Sequence, residues 1–304
     1  MGPLNKYGMR ILVTGSEGNI GSILVPYLRK KGHYVFSLDI RQKFAENYLT
    51  ADICSGVDLV RAFSDFQPEI VYHMAAMVSR VTSEASPSLT MKTNIYGTEN
   101  IVQLCKAYGA RMIFFSTSEV YGNQEGILRE EDDPHPNNIY GLSKWLGEQL
   151  IRYEVSNGLN ALIVRPFMFY HEDETFGQHR SAMIRFVRDL LSGETVTAHK
   201  DSARTWLHLD DGVKILEILA HSSGFQTVNI GHPEAIYSEA LAEMICCKIG
   251  RDPRELVLVE DLPQRMTLTK YPDLSVQERM TGYYPRIGIE EGVERMIEKV
   301  KSRL

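Results

Sequence analysis

Three glycines spaced three apart, Gly15, Gly18 and Gly21, end the apolar run Met9-Arg10-Ile11-Leu12-Val13. Apolar residues then recur at Ile20, Ile23, Leu24 and Leu28 with a helical period. The stretch reads as strand, tight turn and helix start. Without Cβ atoms, such a turn lets backbone N–H groups and the positive end of a helix approach a pyrophosphate. A glycine triplet alone also fits a mere turn. The next strand, residues 34–39, ends in Asp39, the place where a carboxylate can hold the ribose hydroxyls of NAD and repel a 2′-phosphate. Arg41 reads as a solvated loop charge.

Further down, apolar runs at residues 70–76, 111–116 and 161–166 alternate with helical patterns, among them 87–108 and 140–156. Strands alternating with helices predict an α/β, Rossmann-type, doubly wound parallel sheet, with ligands at the carboxyl ends of its strands. The pattern loosens after Phe169. A helix over 181–192, a short strand near 195–198 and a helix over 211–221 suggest a smaller portion. The expected division is a cofactor-binding domain over 9–168 and a mainly substrate-binding portion over 169–304, with some segments crossing back to the sheet. Small residues at Ala75 and Ala76 suit close passage of a cofactor, and Asp52 and Ile53 are placed to flank an adenine.

With 43% hydrophobic and 24% charged residues, the 304-residue composition is that of a soluble globular protein. A net charge of −6 argues against nucleic acid as the main partner. Cys54, Cys105, Cys246 and Cys247 lack metal-ligand spacing, so free thiols, no metal and a cytoplasmic setting are expected. No segment approaches a membrane span, and residues 1–8 read as a leader without function.

Two stretches carry the chemistry, Ser116-Thr117-Ser118-Glu119 at a strand exit and Tyr140-Gly141-Leu142-Ser143-Lys144 at a helix start. Tyr140 and Lys144, four apart, share a helix face. An ammonium beside a phenol favours the phenolate, so Tyr140 is expected to exchange a proton near neutral pH. Thr117 would hydrogen-bond the reacting oxygen, and Lys144 would also hold the nicotinamide ribose.

Together with Asp52-Ile53, His73-Met74-Ala75-Ala76, Asn94-x-x-Gly97-Thr98, Arg165-Pro166, the Arg204–Asp211 stretch, Asn229-Ile230-Gly231 and Gly288-Ile289-Glu290-Glu291-Gly292, these motifs make nearly the whole chain resemble an extended short-chain dehydrogenase/reductase of the nucleotide-sugar epimerase and dehydratase branch. The resemblance implies Thr117, Tyr140 and Lys144 as a catalytic set assisted by Ser118 and Glu119. It implies NAD held by Gly15, Gly18, Asn19, Ile20, Gly21, Asp39, Asp52, Ile53, Ala75, Ala76, Asn94, Ser116, Tyr140 and Lys144. A nucleotide-diphosphate sugar would be held by Thr117, Arg204 and Arg265. In such enzymes C4 of the sugar is oxidised first. Glu119, as a base at C5, leans the expectation toward 4,6-dehydration. The alternatives are 4-epimerisation, decarboxylation of the UDP-glucuronate type and net dehydrogenation, with a non-catalytic NAD-binding regulator as the rival class. The resemblance also implies a homodimer through helices 87–108 and 140–156. One departure stands out. Arg165-Pro166-Phe167-Met168 ends in Met where Asn is usual, and His171-Glu172-Asp173-Glu174 replaces the usual glycine-proline turn.

Overall fold

In a computed structural model the chain is described over residues 8–176, 181–262 and 269–304. In chain order its elements begin with β1 (Arg10–Thr14), α1 (Gly21–Lys30), β2 (Tyr34–Asp39), β3 (Tyr48–Thr50), α2 (Gly56–Phe66), β4 (Ile70–His73), α3 (Arg80–Ala85) and α4 (Pro87–Met91). A π-helical turn, Lys92–Tyr96, leads into α5 (Gly97–Tyr108) and β5 (Arg111–Phe115). After a 3₁₀ turn at Ser118–Tyr121 come β6 (Ile127–Leu128), α6 (Ile139–Ser156), β7 (Ala161–Pro166), β8 (Met168–Tyr170), α7 (Ala182–Leu191), β9 (Val196–His199) and β10 (Ala203–His208). The rest runs α8 (Leu209–Ala220), β11 (Thr227–Ile230), β12 (Ala235–Tyr237), α9 (Ser238–Ile249), α10 (Pro253–Leu256), β13 (Val257–Glu260), β14 (Thr269–Pro272), α11 (Ser275–Thr281) and α12 (Ile289–Lys301).

The chain forms two compact units. The first holds the residues up to Val120, Pro136–Arg165 and Leu216–Val228, and the second holds Tyr121–His135, Pro166–Ile215 and Asn229–Leu304. Residues 121–135 therefore group with the second unit, and the chain returns to the first after α7 and β10.

Among the described residues, the first unit is built on a seven-stranded sheet in the order β11-β7-β5-β4-β1-β2-β3. The pairs from β7 across to β3 are all parallel, for example Leu12 beside Phe36 and Val71. Parallel neighbours need crossover connections, and helices supply them. The order reverses direction beside β1, which places a crevice at the carboxyl ends of β1 and β4. A core of Leu12, Leu38, Phe63, Val71, Ile101, Phe114 and Ile163 fixes the sheet against its helices. Strand β3 is an addition to the elements legible in the sequence. It is three residues long and only half-buried, too short for alternation to mark it.

The second unit has its own five-stranded sheet, with β8 beside β10, and a pair of β9 with β13. Its core gathers Met183, Val187, Trp206, Ile245 and Met296. Trp206 lies on β10. It is buried and meets Tyr170 edge-on. Helix α12 approaches β8 through Gly292, where an added Cβ would fall 1.8 Å from the Tyr170 hydroxyl. Gly292→Ala is expected to lower stability by about 1–3 kcal/mol through overpacking. Urea unfolding measures this, and an unchanged midpoint would contradict the packing.

Candidate active site

The glycine turn is shaped by contacts only glycine permits. Gly15 has φ +72°, and a Cβ there would lie 2.8 Å from the Ala75 backbone nitrogen. A Cβ on Gly21 would lie 2.4 Å from the Gly15 carbonyl oxygen. At Gly18 the only protein atom near a Cβ is that same oxygen, at 3.1 Å. The bare backbone at Gly18 keeps the cradle open for a ligand, and the buried Ser16 hydroxyl has no hydrogen-bond partner among the described residues. Both fit the diphosphate of a dinucleotide. Asn19 is exposed and Ile20 precedes the first residue of α1.

Asp39 is buried at the end of β2, accepting N–H bonds from Glu17 at 2.9 Å and Arg41 at 3.0 Å. Arg41 is not merely solvated, since it donates to the Glu17 carbonyl and so braces the turn. Ala75 donates its N–H to Thr14 Oγ1. Asp52 is exposed, whereas Ile53 is buried against Gly97 in the core. Asn94 is fully engaged: it accepts from the Met77 N–H and donates to the Met77 carbonyl and Ser143 Oγ. It clamps the loop after β4 to α6.

A directional chain lies under the cofactor edge. Thr98 Oγ1 donates to the Asn94 carbonyl at 2.7 Å, so it accepts from His73 Nε2 at 3.0 Å. His73 Nδ1 is left as an acceptor for Thr14 Oγ1 at 2.8 Å. Burial and the nearby Lys144 ammonium hold His73 down at about 3, so the ring is neutral. Sequence reasoning quoted His73 in a motif without giving it this role.

The catalytic-type residues converge as the spacing predicts, with one electrostatic difference. Tyr140 stands in the first turn of α6 and hydrogen-bonds Thr117, which is buried at the exit of β5. Lys144 is buried one turn on, its Nζ 5.0 Å from the Phe114 ring centroid. Lys144 does not dominate the phenol. Burial pushes Tyr140 up to about 12, the Thr117 hydrogen bond opposes this, and the Glu119 carboxylate adds to it. Burial likewise pulls Lys144 down to about 7, resisted by Glu148. In the protein alone, desolvation outweighs the ammonium–phenol pairing that the sequence suggests.

Behind this face lies an ion group missed in the sequence. Glu148, fully buried on α6, accepts Arg165 Nε at 2.9 Å and Nη2 at 2.7 Å. The Ser116 hydroxyl donates to the same carboxylate, so Ser116 ties β5 to α6. The legible signal was Glu148 four residues after Lys144, on the same helix face.

Glu119 and Ser118 lie on the 3₁₀ turn after β5. Glu119 Oε2 accepts Asn138 Nδ2 at 2.9 Å and lies 3.7 Å from Arg80 Nε. In the second unit, Arg204 is half-buried on β10 and donates to the Ala203 carbonyl. Arg265 lies outside the described residues. Met168 is 40% exposed on β8 and pairs with Trp206 in register. Asp210 and Asp211 both stand in the first turn of α8, and Asp211 also reaches a distant loop, accepting N–H bonds from Arg286 and Ile287 and the Tyr283 hydroxyl besides that of Lys214 in its own helix.

The unusual His171-Glu172 pair meets His208, their ligand-type atoms all within 4.8 Å. Both rings accept a backbone N–H at Nδ1, from Asp173 and Asp210. That places the proton of each neutral ring on Nε2, where His208 donates to Glu172 at 2.8 Å. A metal-bound histidine donates from its other nitrogen, so these rings are set for hydrogen bonding rather than ligation.

A glycine cradle at the switch point of a parallel sheet, with Thr117, Tyr140 and Lys144 near one another, is the arrangement of a dinucleotide-dependent enzyme. The sequence model of the NAD dependent epimerase/dehydratase family matches residues 11–231, and the chain belongs to that family. NAD is the family's cofactor. The chain is 29% identical to UDP-glucuronic acid decarboxylase 6 of Arabidopsis thaliana, covering 97% of this chain and 90% of that protein. It superposes on UDP-glucose 4-epimerase of Thermotoga maritima, solved with UDP-glucose, with a TM-score of 0.89 at 25% identity, covering 97% of this chain and 99% of the other. It matches MoeE5, solved with UDP-glucuronic acid and NAD, at a TM-score of 0.87 and 26% identity, over 97% and 99% of the two chains.

Arg165→Met strands the Glu148 charge in the interior and is expected to cost about 3–5 kcal/mol, whereas the double change Arg165→Met, Glu148→Leu recovers much of it. Equal losses from the single and double variants in urea unfolding would argue against a buried ion pair.

Proposed function

We propose that this enzyme oxidises C4 of a UDP-hexuronate and that the resulting 4-keto acid loses carbon dioxide. The observation that carries this reading is the state of Glu119. A 4,6-elimination needs a base at C5 and an acid at the C6 oxygen. The 3₁₀ turn after β5 carries one carboxylate, Glu119, held between Arg80 and Asn138, with Ser118 beside it. An ion-paired carboxylate is a weak base and is not a proton donor. This moves the balance away from the dehydration that the sequence favoured. A hexuronate has no C6 hydroxyl to expel, and its 4-keto form is a β-keto acid that needs no further base.

In the proposed sequence Tyr140, as phenolate, takes the C4 hydroxyl proton while Thr117 orients the oxygen. Bound NAD supplies the hydride acceptor and later returns the hydride. The C5–C6 bond breaks, carbon dioxide leaves, and its electron pair passes to an enolate on the C4 oxygen beside Tyr140 and Thr117. Water would protonate C5, Tyr140 would give its proton back to the C4 oxygen, and with the hydride restored to C4 the product would be a UDP-pentose. Similarity to a named UDP-glucuronic acid decarboxylase and to MoeE5 supports the uronate. A second reading, 4-epimerisation through the same ketone, is supported by the likeness to a UDP-glucose 4-epimerase.

Mass spectrometry of the enzyme with a panel of UDP-sugars, with NADH absorbance followed alongside, tests this. The expected product from UDP-glucuronate is lighter by carbon dioxide. A product of unchanged mass would favour epimerisation, and one lighter by water would restore dehydration. Tyr140→Phe is expected to lower turnover by about 10²-fold or more while leaving sugar binding in place.

We also propose a homodimer through α4, α5 and α6, supported by exposed apolar residues Leu89, Tyr96, Leu146 and Tyr153. Light scattering is expected to give twice the chain mass, and Leu146→Glu with Tyr153→Glu is expected to shift it toward the monomer.

A further inference from the structure

The start of the helix that carries Tyr140 is held by one relay. Ser79 adopts φ +111°, a conformation rare for a side-chain-bearing residue, and its hydroxyl accepts the Thr82 N–H, so α3 begins with Arg80. Arg80 faces Glu119, and the same Glu119 oxygen takes the Asn138 amide N–H. The other end of that amide, Asn138 Oδ1, accepts the Gly141 N–H at 2.8 Å and caps α6. The contact is close: a Cβ on Gly141 would lie 2.6 Å from the Glu119 carbonyl oxygen. Glu84, also on α3, accepts the Ile139 N–H. An amide can be flipped end for end. Here a carboxylate at one end and a helix N–H at the other leave only one orientation satisfied.

We propose that Glu119 and Arg80 are positioning residues for Tyr140: acting through Asn138, their ion pair fixes the first turn of α6 and balances the charge beside the phenol. This rests on the reading of Tyr140 as the acid–base group. Glu119 then has a role in ordering the protein itself, and Arg80 and Asn138 join the site.

The charges packed around Tyr140 among the described residues come from a few elements. Its own helix contributes Lys144 and Glu148, the latter tied to Arg165. Packed against α6, α3 brings Arg80 and Glu84, the π-helical turn brings Lys92, and α5 brings Glu99 and Lys106, which pairs with Glu154. The neutral His73 lies at the end of β4. Of these, Glu119 raises the phenol's proton affinity and Arg80 offsets Glu119. Removing each therefore acts in opposite directions. With Glu119→Gln the amide relay can persist but the negative charge is gone, so the phenol deprotonates at lower pH. With Arg80→Met the carboxylate loses this cation, so the phenol deprotonates at higher pH.

The experiment is single-turnover NADH formation on UDP-sugar against pH, on the NAD-loaded enzyme. The rising limb is expected to move down in Glu119→Gln and up in Arg80→Met, each by about half a pH unit or more. Glu119→Ala is expected to turn over more slowly than Glu119→Gln because it also drops the Asn138 bond. Asn138→Ala is expected to slow NADH formation, with Asn138→Asp, another capping residue, recovering part of it. Shifts of the same sign, no shifts, or loss of all NADH formation in Glu119→Gln would overturn the proposal. Tyr140→Phe separates the two levels. If that variant forms NADH at the wild-type rate, the reading of Tyr140 fails; if it does not and the limbs stay put, only the relay fails. Circular dichroism of each variant confirms that the helices are intact.

Discussion

A carboxylate with no exposed surface, Glu148, is the interaction on which the catalytic face depends. Burying it alone would cost several kcal/mol, and the structure meets that cost with the two-pronged Arg165 guanidinium and the Ser116 hydroxyl. The three partners come from α6, the end of β7 and the end of β5. Their pairing fixes the helix against the strand edge from which Thr117 projects. Because a guanidinium and a carboxylate fit each other in one planar arrangement, the contact sets register as well as energy. Lys144, one turn earlier on α6, feels the Glu148 charge and is kept from losing more of its proton affinity in the interior.

The cofactor edge is organised by close backbone approach instead of by charge. Gly15 and Gly21 are required because Ala75, Ser16 and the Gly15 carbonyl occupy the space of a side chain. Under this turn, Thr14, His73, Thr98 and Asn94 form a hydrogen-bonded series with every donor direction fixed. A neutral imidazole can serve as such a link because it donates at one nitrogen and accepts at the other. The two edges meet at α6, where Asn94 reaches Ser143.

The site is electrostatically poised for a bound partner. In the protein alone, Tyr140 sits near 12 and Lys144 near 7, both displaced by burial toward their neutral forms. A phenol and an amine displaced in this way respond strongly to any charge brought beside them, since little water remains to screen it. A short-range balance, Glu119 against Arg80, then matters more than it would on an open surface.

The sequence by itself determined the parallel-sheet class, the glycine cradle, Asp39 and the Thr117, Tyr140 and Lys144 set. These rest on local rules: the period of apolar residues, the steric needs of a turn, and the four-residue spacing of a helix face. Tertiary structure decided what each group is bonded to. The Ile53 side chain packs into the core against Gly97, and the Ser116 hydroxyl is bonded to Glu148. The partners of Glu119, Arg80 and Asn138, lie 39 positions earlier and 19 later in the chain. Asp211 joins the loop at Tyr283–Ile287 to its own helix, where Lys214 also reaches it. Spacing along a chain reports which residues share a face. The partner of a buried charge is chosen by desolvation, and desolvation depends on segments that only folding brings together.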